Sequence, residues 1–591
     1  MCGIAGELRR DGPADVAALR RMQETMAARG PDGDGLWSER GAGLAHRRLS
    51  IIDLSERGAQ PMVDPALGLV AVFNGIIYNH RELRAELEAA GHAFFSASDT
   101  EVILKAYAHW GERCVERFKG MFAFCVVERA SGRVLLARDR LGVKPLYLAE
   151  AGGALRFAST LPALLAGGGV DTALDPVALH HYLSFHSVVP APRTILTGVR
   201  KLPPATTLTI EPDGTRRERR YWRASFERDP ARAGWSRRDW ADAVHDALRV
   251  AVERRMVSDV PVGVLLSGGL DSSLIVALLA ESGQTGLATF SVGFGDVGGR
   301  AGNEFHFSDL VAERFGTDHR RFLVEEDRML EALDAAIGAM SEPMVSHDCV
   351  AFHLLSEAVA EHRKVVQSGQ GADEVFGGYY WYPPLAEVDD GDGNGAEVYK
   401  AHFVDRPHAE LAEALEGPFV AERDASGGFV DAHFAEPGAA TAVDRGLRLD
   451  AEVMLVDDPV KRVDNMTMAH GLEARTPFLD HDLVELAATC PPELKLAAGG
   501  KGILKAAARG VVPDEVIDRP KGYFPVPALS HLEGGVLELA REALVTSDRG
   551  LVRRSYVDRL LADPNGERTT LDGSKLWQVA LLELWLRKQG V

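Results

Sequence analysis

The apolar run Val262-Gly263-Val264-Leu265-Leu266 ends in Ser267-Gly268-Gly269-Leu270-Asp271-Ser272-Ser273, after which helical spacing takes over. Residues 260–266 read as a strand, 272–281 as a helix and 288–294 as a further strand. That order needs a crossover helix between neighbouring strands, so it specifies a parallel sheet with helices on its faces. A helix over 240–256 precedes it, with Val244, Leu248 and Val252 on one face. Another strand and turn follow at 365–369, leading into Gln370-Gly371-Ala372-Asp373-Glu374.

The first third has a different texture. Residues 3–210 fall into short β-rich segments broken by glycine and proline, such as 68–73, 121–128 and 134–137, with a helix at 81–90. Packed sheets with flanking helices are expected there. A polar, Arg-rich stretch at 213–238 separates the two textures. The expected division is a domain over 1–212, a linker over 213–238 and a domain over 239–591. Residues 389–395 (DDGDGNG) form an acidic loop that lacks the glutamate of a calcium loop. An apolar helix over 571–588 closes the chain.

The glycine turn suits phosphate. Gly268 and Gly269 let the backbone approach its oxygens, while Ser267, Ser272 and the first helical N–H groups donate hydrogen bonds. Asp271 would repel bare phosphate, so it makes sense as a Mg²⁺ ligand, and Asp373 repeats it in the later turn. No Gly-Lys-Ser/Thr follows, so this is not a Walker loop. Lys501 and Lys505 bring positive charge downstream of 471–480 (GLEARTPFLD).

At the other end of the chain Cys2 follows the initiator Met and precedes Gly3. With the Met removed, thiol and α-amine belong to one residue. An α-amine titrates near ~7.7–8.0 and a free thiol near ~8.5, so the amine can serve as the thiol's own base. Arg29-Gly30-Pro31-Asp32, Ala45-His46-Arg47-Arg48-Leu49-Ser50, Phe73-Asn74-Gly75 and Ser98-Asp99-Thr100-Glu101 follow in order. Arg48 suits a bidentate hold on an α-carboxylate, and Asp99 suits an α-ammonium. Asn74 and the Gly75 N–H can face the oxyanion made when a thiolate attacks an amide.

On these motifs residues 2–205 resemble the N-terminal-nucleophile glutaminase domain of class II glutamine amidotransferases. The resemblance implies an αββα sandwich with Cys2 as nucleophile and Asn74 and Gly75 as oxyanion hole. It puts Arg48, Leu49, Ser50, Ile51, Ile52, Asn74, Gly75, Ile76 and Asp99 around glutamine. Ile76 departs from the asparagine synthetase pattern, which has Glu there, and leaves the ammonium more dependent on Asp99.

Residues 239–588 resemble the ATP-pyrophosphatase domain of asparagine synthetase and its relatives, an adenine nucleotide α-hydrolase-like α/β parallel-sheet fold. The resemblance puts ATP against Leu265, Ser267, Gly268, Gly269, Asp271, Ser272, Val292, Ser368 and Gly369, with Mg²⁺ on Asp271 and Asp373. Lys505, counted back from Arg509, is the expected catalytic lysine, with Lys501 its rival. Gln370 replaces the first Glu of Ser-Gly-Glu-Gly-Ser-Asp-Glu at the amide-forming centre; unlike Glu it cannot take up a proton. The implied reaction is glutamine hydrolysis, passage of ammonia between the domains, and amidation of a carboxylate activated as an acyl-adenylate.

Residues 290–317, 340–357 (MSEPMVSHDCVAFHLLSE) and 367–385 (QSGQGADEVFGGYYWYPPL) are similar to the N-acetylglutaminylglutamine amidotransferase branch of that family. This implies that the acyl substrate is the C-terminal carboxylate of an acetylated dipeptide, giving an osmoprotectant. Tyr379, Tyr380, Trp381 and Tyr382 either wall that site or belong to the core. His347, Asp348 and Cys349 are further candidates for acyl contacts. Aspartate amidation and a non-catalytic glutamine and nucleotide sensor are the competing readings.

A formal charge of −20, from 66 basic and 86 acidic side chains, disfavours nucleic-acid binding. Five scattered cysteines without a CxxC pair support neither a disulfide framework nor a zinc site, and point to a reducing cytoplasm. No run of about 18 apolar residues suggests a membrane span. Assembly into a homo-oligomer stays open.

Overall fold

The computed structural model describes residues 2–294, 303–346, 348–388, 393–519, 529 and 531–591. Two six-stranded antiparallel sheets fill its N-terminal part. One has the order β10-β8-β9-β1-β3-β2 and the other β12-β11-β7-β6-β5-β4. The strands are β1 Gly3–Arg9, β2 Gly33–Glu39, β3 Ala42–Arg48, β4 Met62–Asp64, β5 Leu69–Ile77 and β6 Gly120–Glu128. After them come β7 Val134–Arg138, β8 Tyr147–Ala151, β9 Ala154–Ala158, β10 Val199–Lys201, β11 Thr206–Ile210 and β12 Arg216–Arg220.

Side chains alternate across each strand, and this builds the layers. Val70 and Val72 of β5 join Ile4, Leu148 and Phe157 in a core between the sheets. Leu69, Ala71 and Phe73 point the other way, onto the helices His80–Ala89 and Asp99–Trp110. Ala5 and Ala45 face the helices Val16–Thr25 and Leu161–Gly167 on the far side. The result is the expected αββα sandwich.

The Arg-rich stretch expected to be a linker is partly strand. β12 pairs with β11 from Thr206↔Arg220 to Ile210↔Arg216. Its arginines meet acids instead of a core: Arg217 reaches Glu112 at 2.7 Å and Arg219 reaches Glu116 at 2.7 Å. A charged edge strand carries no apolar alternation, so the sequence pattern hides it.

The chain then enters the helix Arg237–Arg254, opened by a reciprocal cap between Ser236 and Asp239. Five strands make a parallel sheet in the order β15-β14-β13-β16-β17. They are β13 Val262–Leu265, β14 Ala288–Phe294, β15 Asp318–Val324, β16 Val365–Gln367 and β17 Glu473–Arg475. Val264 packs on one face with Val244, Leu248 and Leu274. Leu265 packs on the other with Phe352 and Leu355, so helices cover both faces, as a parallel sheet requires. The closing helix runs Lys575–Gln589, capped by Ser574. Residues 389–392 of the acidic loop, 295–302 and His347 lie outside the described residues.

The halves share a buried joint. Leu49 and Ile51 pack on Val262, Val365 and Met468. Arg29 pairs with Asp464 at 2.8 Å, and Lys201 pairs with Asp457 at 2.6 Å.

Candidate active sites

Cys2 heads β1, and β5 lies across the inter-sheet core from it. Asn74 follows Val70 and Val72 on the inner face, and its Oδ1 accepts the Cys2 N–H at 3.0 Å. Its Nδ2 is buried with no hydrogen-bond partner among the described residues. A buried donor left open beside a thiol is what an oxyanion requires. Gly75 has φ 150°, and a Cβ there would overlap the Met121 carbonyl oxygen, so only glycine fits. Burial pushes the Cys2 thiol up and Glu473 adds to this, while the Leu49 carbonyl contact and Arg48 oppose it.

Arg48, Leu49, Ile51, Ile52, Gly75, Ile76 and Asp99 line the same pocket as Cys2. The Arg48 guanidinium is fixed by the carbonyls of Ser55, at 3.0 Å, and Asp53. Asp99 opens a helix capped by Ser98, and its Oδ2 accepts the Ile77 N–H at 3.1 Å. Burial raises its pKa. Ser50 does not line the pocket; its N–H donates to Asp32 Oδ2 at 2.7 Å. Three lining residues, Gly58, Gln60 and Glu473, are not among the residues expected from the sequence. Gln60 accepts the Phe73 N–H at 2.6 Å, and Glu473 arrives from β17 of the other sheet.

A second cavity, of about 610 Å³, opens at the carboxyl ends of β13, β14 and β16. Leu265, Ser267, Gly269, Asp271, Ser272, Val292, Ser368, Gly369, Gln370 and Asp373 all line it. Gly268 shapes the turn with φ 77°. Ser267 Oγ lies 3.1 Å from Ser272 Oγ, and the helix Leu270–Glu281 starts at Gly269 without a side-chain cap. Its first N–H groups are therefore available to an anion.

The two lysines part company here. Lys501 Nζ sits 2.7 Å from Asp271 and 3.0 Å from Asp373, and the two carboxylates raise its pKa against burial. Lys505, the lysine expected from the count, lines the cavity but gives its ammonium to the Ala498 carbonyl at 2.6 Å. Lys501 takes a left-handed backbone, φ 54°, just before the helix, which sends its side chain between the acids. Asp271 and Asp373 offer hard oxygen donors converging on one point, the donor set Mg²⁺ prefers. A Cβ at Gly378 would overlap the Asp373 carboxylate and the Lys501 side chain, so a glycine keeps this cradle open.

The aromatic run splits. Tyr379 lines the cavity and donates to Glu374 at 2.7 Å. Tyr380 is 46% exposed, while Trp381 and Tyr382 are buried and donate to Asp450. One of the four faces the cavity; two are core. Asp348 lines the cavity, whereas Cys349 is buried with its Sγ 3.8 Å from the Met344 carbonyl. Arg462, which the sequence did not single out, lines it too and reaches Asp458 at 3.2 Å.

A buried thiol with an open amide donor, joined to a glycine-turn cavity on a parallel sheet, defines a two-domain amidotransferase class. Residues 1–222 match the glutamine amidotransferase domain and residues 243–587 match asparagine synthase. The chain belongs to the asparagine synthase family. It is 31% identical over 99% of its length to asparagine synthetase (glutamine-hydrolysing) 1 of Bacillus subtilis, covering 96% of that protein. Asparagine synthetase (glutamine-hydrolysing) 3 of the same organism is 30% identical over 95% of this chain and 93% of its own. Amidase chry2 of Gibberella zeae is 27% identical over 92% of each chain. Among the described residues no helix is long and apolar enough to cross a membrane.

Proposed function

We propose that this chain is an ATP-dependent, glutamine-hydrolysing amide synthetase acting on the C-terminal carboxylate of N-acetylglutaminylglutamine. The observation that supports it most is the single cavity holding the Ser-Gly turn, the Asp271–Lys501–Asp373 cluster and Gln370 together. An acyl group activated on the nucleotide would sit beside a neutral amide there, which suits a less charged acid than aspartate.

In the first pocket the α-amine of mature Cys2 takes the thiol proton, and the thiolate attacks the side-chain carbonyl carbon of glutamine. Arg48 and Asp99 hold the α-carboxylate and α-ammonium; Asn74 Nδ2 and the Gly75 N–H hold the oxyanion. The C–N bond breaks, the nitrogen leaves protonated as ammonia, and water clears the thioester as glutamate. In the second cavity a carboxylate oxygen attacks the α-phosphorus and pyrophosphate departs. Ammonia then attacks the acyl carbon, AMP leaves, and one proton is released. Ser267, Ser272 and the helix start bind pyrophosphate, and Lys501, in place of Lys505, balances its charge. Asp271 and Asp373 would hold Mg²⁺, which neutralises triphosphate oxygens when bound. Ammonia must stay unprotonated, so a dry route through the buried joint serves it. The five thiols are free and buried, which suits a reducing cytoplasm.

Amidation of aspartate is the second reading, favoured by the names of the B. subtilis relatives. Purified protein with glutamine, ATP and either acid, read by product mass, separates the two. Amide from the acetylated dipeptide supports the proposal; asparagine alone overturns its substrate.

A further inference from the structure

Glu473 belongs to the synthetase half by chain and to the glutaminase half by position. It begins β17, an edge strand of the parallel sheet, yet its side chain lines the Cys2 pocket beside Arg48, Asp99 and Ile76. It is 1% exposed. Its N–H donates to the Lys364 carbonyl at 2.8 Å, and its register partner on β16 is Val365. Period-two alternation puts Arg475 on the same face, and the two pair at 2.6 Å. The Arg475 carbonyl accepts the Ser368 N–H at 2.8 Å. The strand that presents Glu473 to Cys2 therefore also pins the nucleotide turn.

Burial alone would raise the Glu473 carboxyl, but the positive charge of the chain's amino terminus, and after it Arg475 and Lys144, hold it down at about 2. It is ionised at neutral pH, and its charge reaches both Cys2 and Asp99. Glutamine hydrolysis has one carboxylate for the substrate ammonium, Asp99, and no evident use for another. One further cation forms in this pocket when the chain starts at Cys2, the α-ammonium itself.

We propose that Glu473 is a positioning residue of the glutaminase site, holding the α-amino group of mature Cys2 from the synthetase side. This rests on the reading of Cys2 as the mature chain start. The charged groups facing Cys2 are Arg29 from the turn Ala27–Arg29, on its carbonyl, and Arg48, Asp99 and Glu473 in its pocket; behind them Asp464 pairs with Arg29 and Lys144, and Arg475 pairs with Glu473. Asp99 Oδ2 already accepts from Ile77, and Asp464 is taken by Arg29 and Lys144. Glu473 has a partner too, in Arg475, but of the three only it and Asp99 line the Cys2 pocket, and Asp99 is the carboxylate read as holding the substrate ammonium. A neighbouring carboxylate favours the ammonium form, so the amine titrates higher with Glu473 than without it. Through Ser368, the basicity of that amine and the geometry of the nucleotide turn share one strand.

The test uses the full chain as wild type, Glu473→Gln and Glu473→Asp. The kcat/KM for glutamate release is followed across pH, beside amide synthesis driven by ammonium salts. The acid limb of the glutaminase profile should move to lower pH in Glu473→Gln by on the order of one unit. It should move less in Glu473→Asp, while the pH profile of ammonium-driven synthesis keeps its wild-type limbs in both. Superimposable profiles overturn the proposal. Should Glu473→Gln fail to fold, an unmoved limb in Glu473→Asp overturns it equally. Wild type that releases no glutamate contradicts the underlying function instead.

Discussion

Arg29 Nη1 lies 2.8 Å from Asp464 Oδ2, and Nε of the same guanidinium lies 3.3 Å from the carbonyl oxygen of Cys2. One arginine thus ties the Cys2 backbone to the helix Lys461–Met468, which also sends Arg462 into the second cavity. Both partners are buried, and Lys144 adds a contact to Asp464 at 3.3 Å. Removing one member of such a cluster leaves uncompensated charge at a cost of about 3–5 kcal/mol.

Asp464→Asn is expected to lose stability in that range and to slow glutaminase turnover, read by urea denaturation and glutamate release. Burial would raise the Asp464 carboxyl, but Arg29 and Lys144 hold it below its ordinary value. Its contribution is therefore present above the unfolded pKa of ~3.9 and is lost as pH falls through the folded value. Wild type should weaken more steeply in acid than Asp464→Asn.

Asn74→Ala deletes the open buried donor beside the thiol. Glutaminase kcat should fall about 10²–10³-fold, the range for one oxyanion donor, with KM for glutamine little changed. Ammonium-driven amide synthesis should persist, since it bypasses that pocket. Parallel loss of both activities would assign Asn74 to folding alone.

Lys501→Ala and Lys505→Ala separate the rival lysines. Pyrophosphate exchange into ATP should drop on the order of 10²-fold or more for Lys501→Ala, which loses the ammonium between Asp271 and Asp373. Lys505→Ala, which loses a bond to the Ala498 carbonyl, should keep most of it.

Much of this was legible because the chemistry is local. Cys2 sits at the chain start, Asn74-Gly75 and Ser98-Asp99 are neighbours in sequence, and the Ser267–Ser272 turn is bounded by an apolar strand and a helix. What escaped depends on distance or direction. Glu473 reaches Cys2 only because β17 is the outermost strand at the domain joint, and its motif reads as a charged turn. Lys501 and Lys505 stand one helical turn apart, and counting cannot show that a left-handed residue aims the first. Tyr379 and Trp381 share a run, yet one faces a cavity and the other bonds Asp450 in the core. β12 hid because arginines paired with acids carry no apolar period.

Gln370→Glu would put an ionisable carboxylate into the cavity, at the place proposed for the acyl group. Amidation of the acetylated dipeptide should fall by at least about tenfold, a cost of ~1.4 kcal/mol, read as kcat/KM by product mass. Unchanged selectivity would remove Gln370 from the acyl side.

The most direct measurement follows the nitrogen. Wild-type protein is supplied with glutamine labelled with ¹⁵N at its side-chain amide, ATP, Mg²⁺ and the acetylated dipeptide, in a bath of unlabelled ammonium. Amide product carrying the label is the expected result, because ammonia freed at Cys2 reaches the activated carboxylate without mixing with solvent. Product bearing only bath nitrogen, or no amide beside released glutamate, contradicts the account.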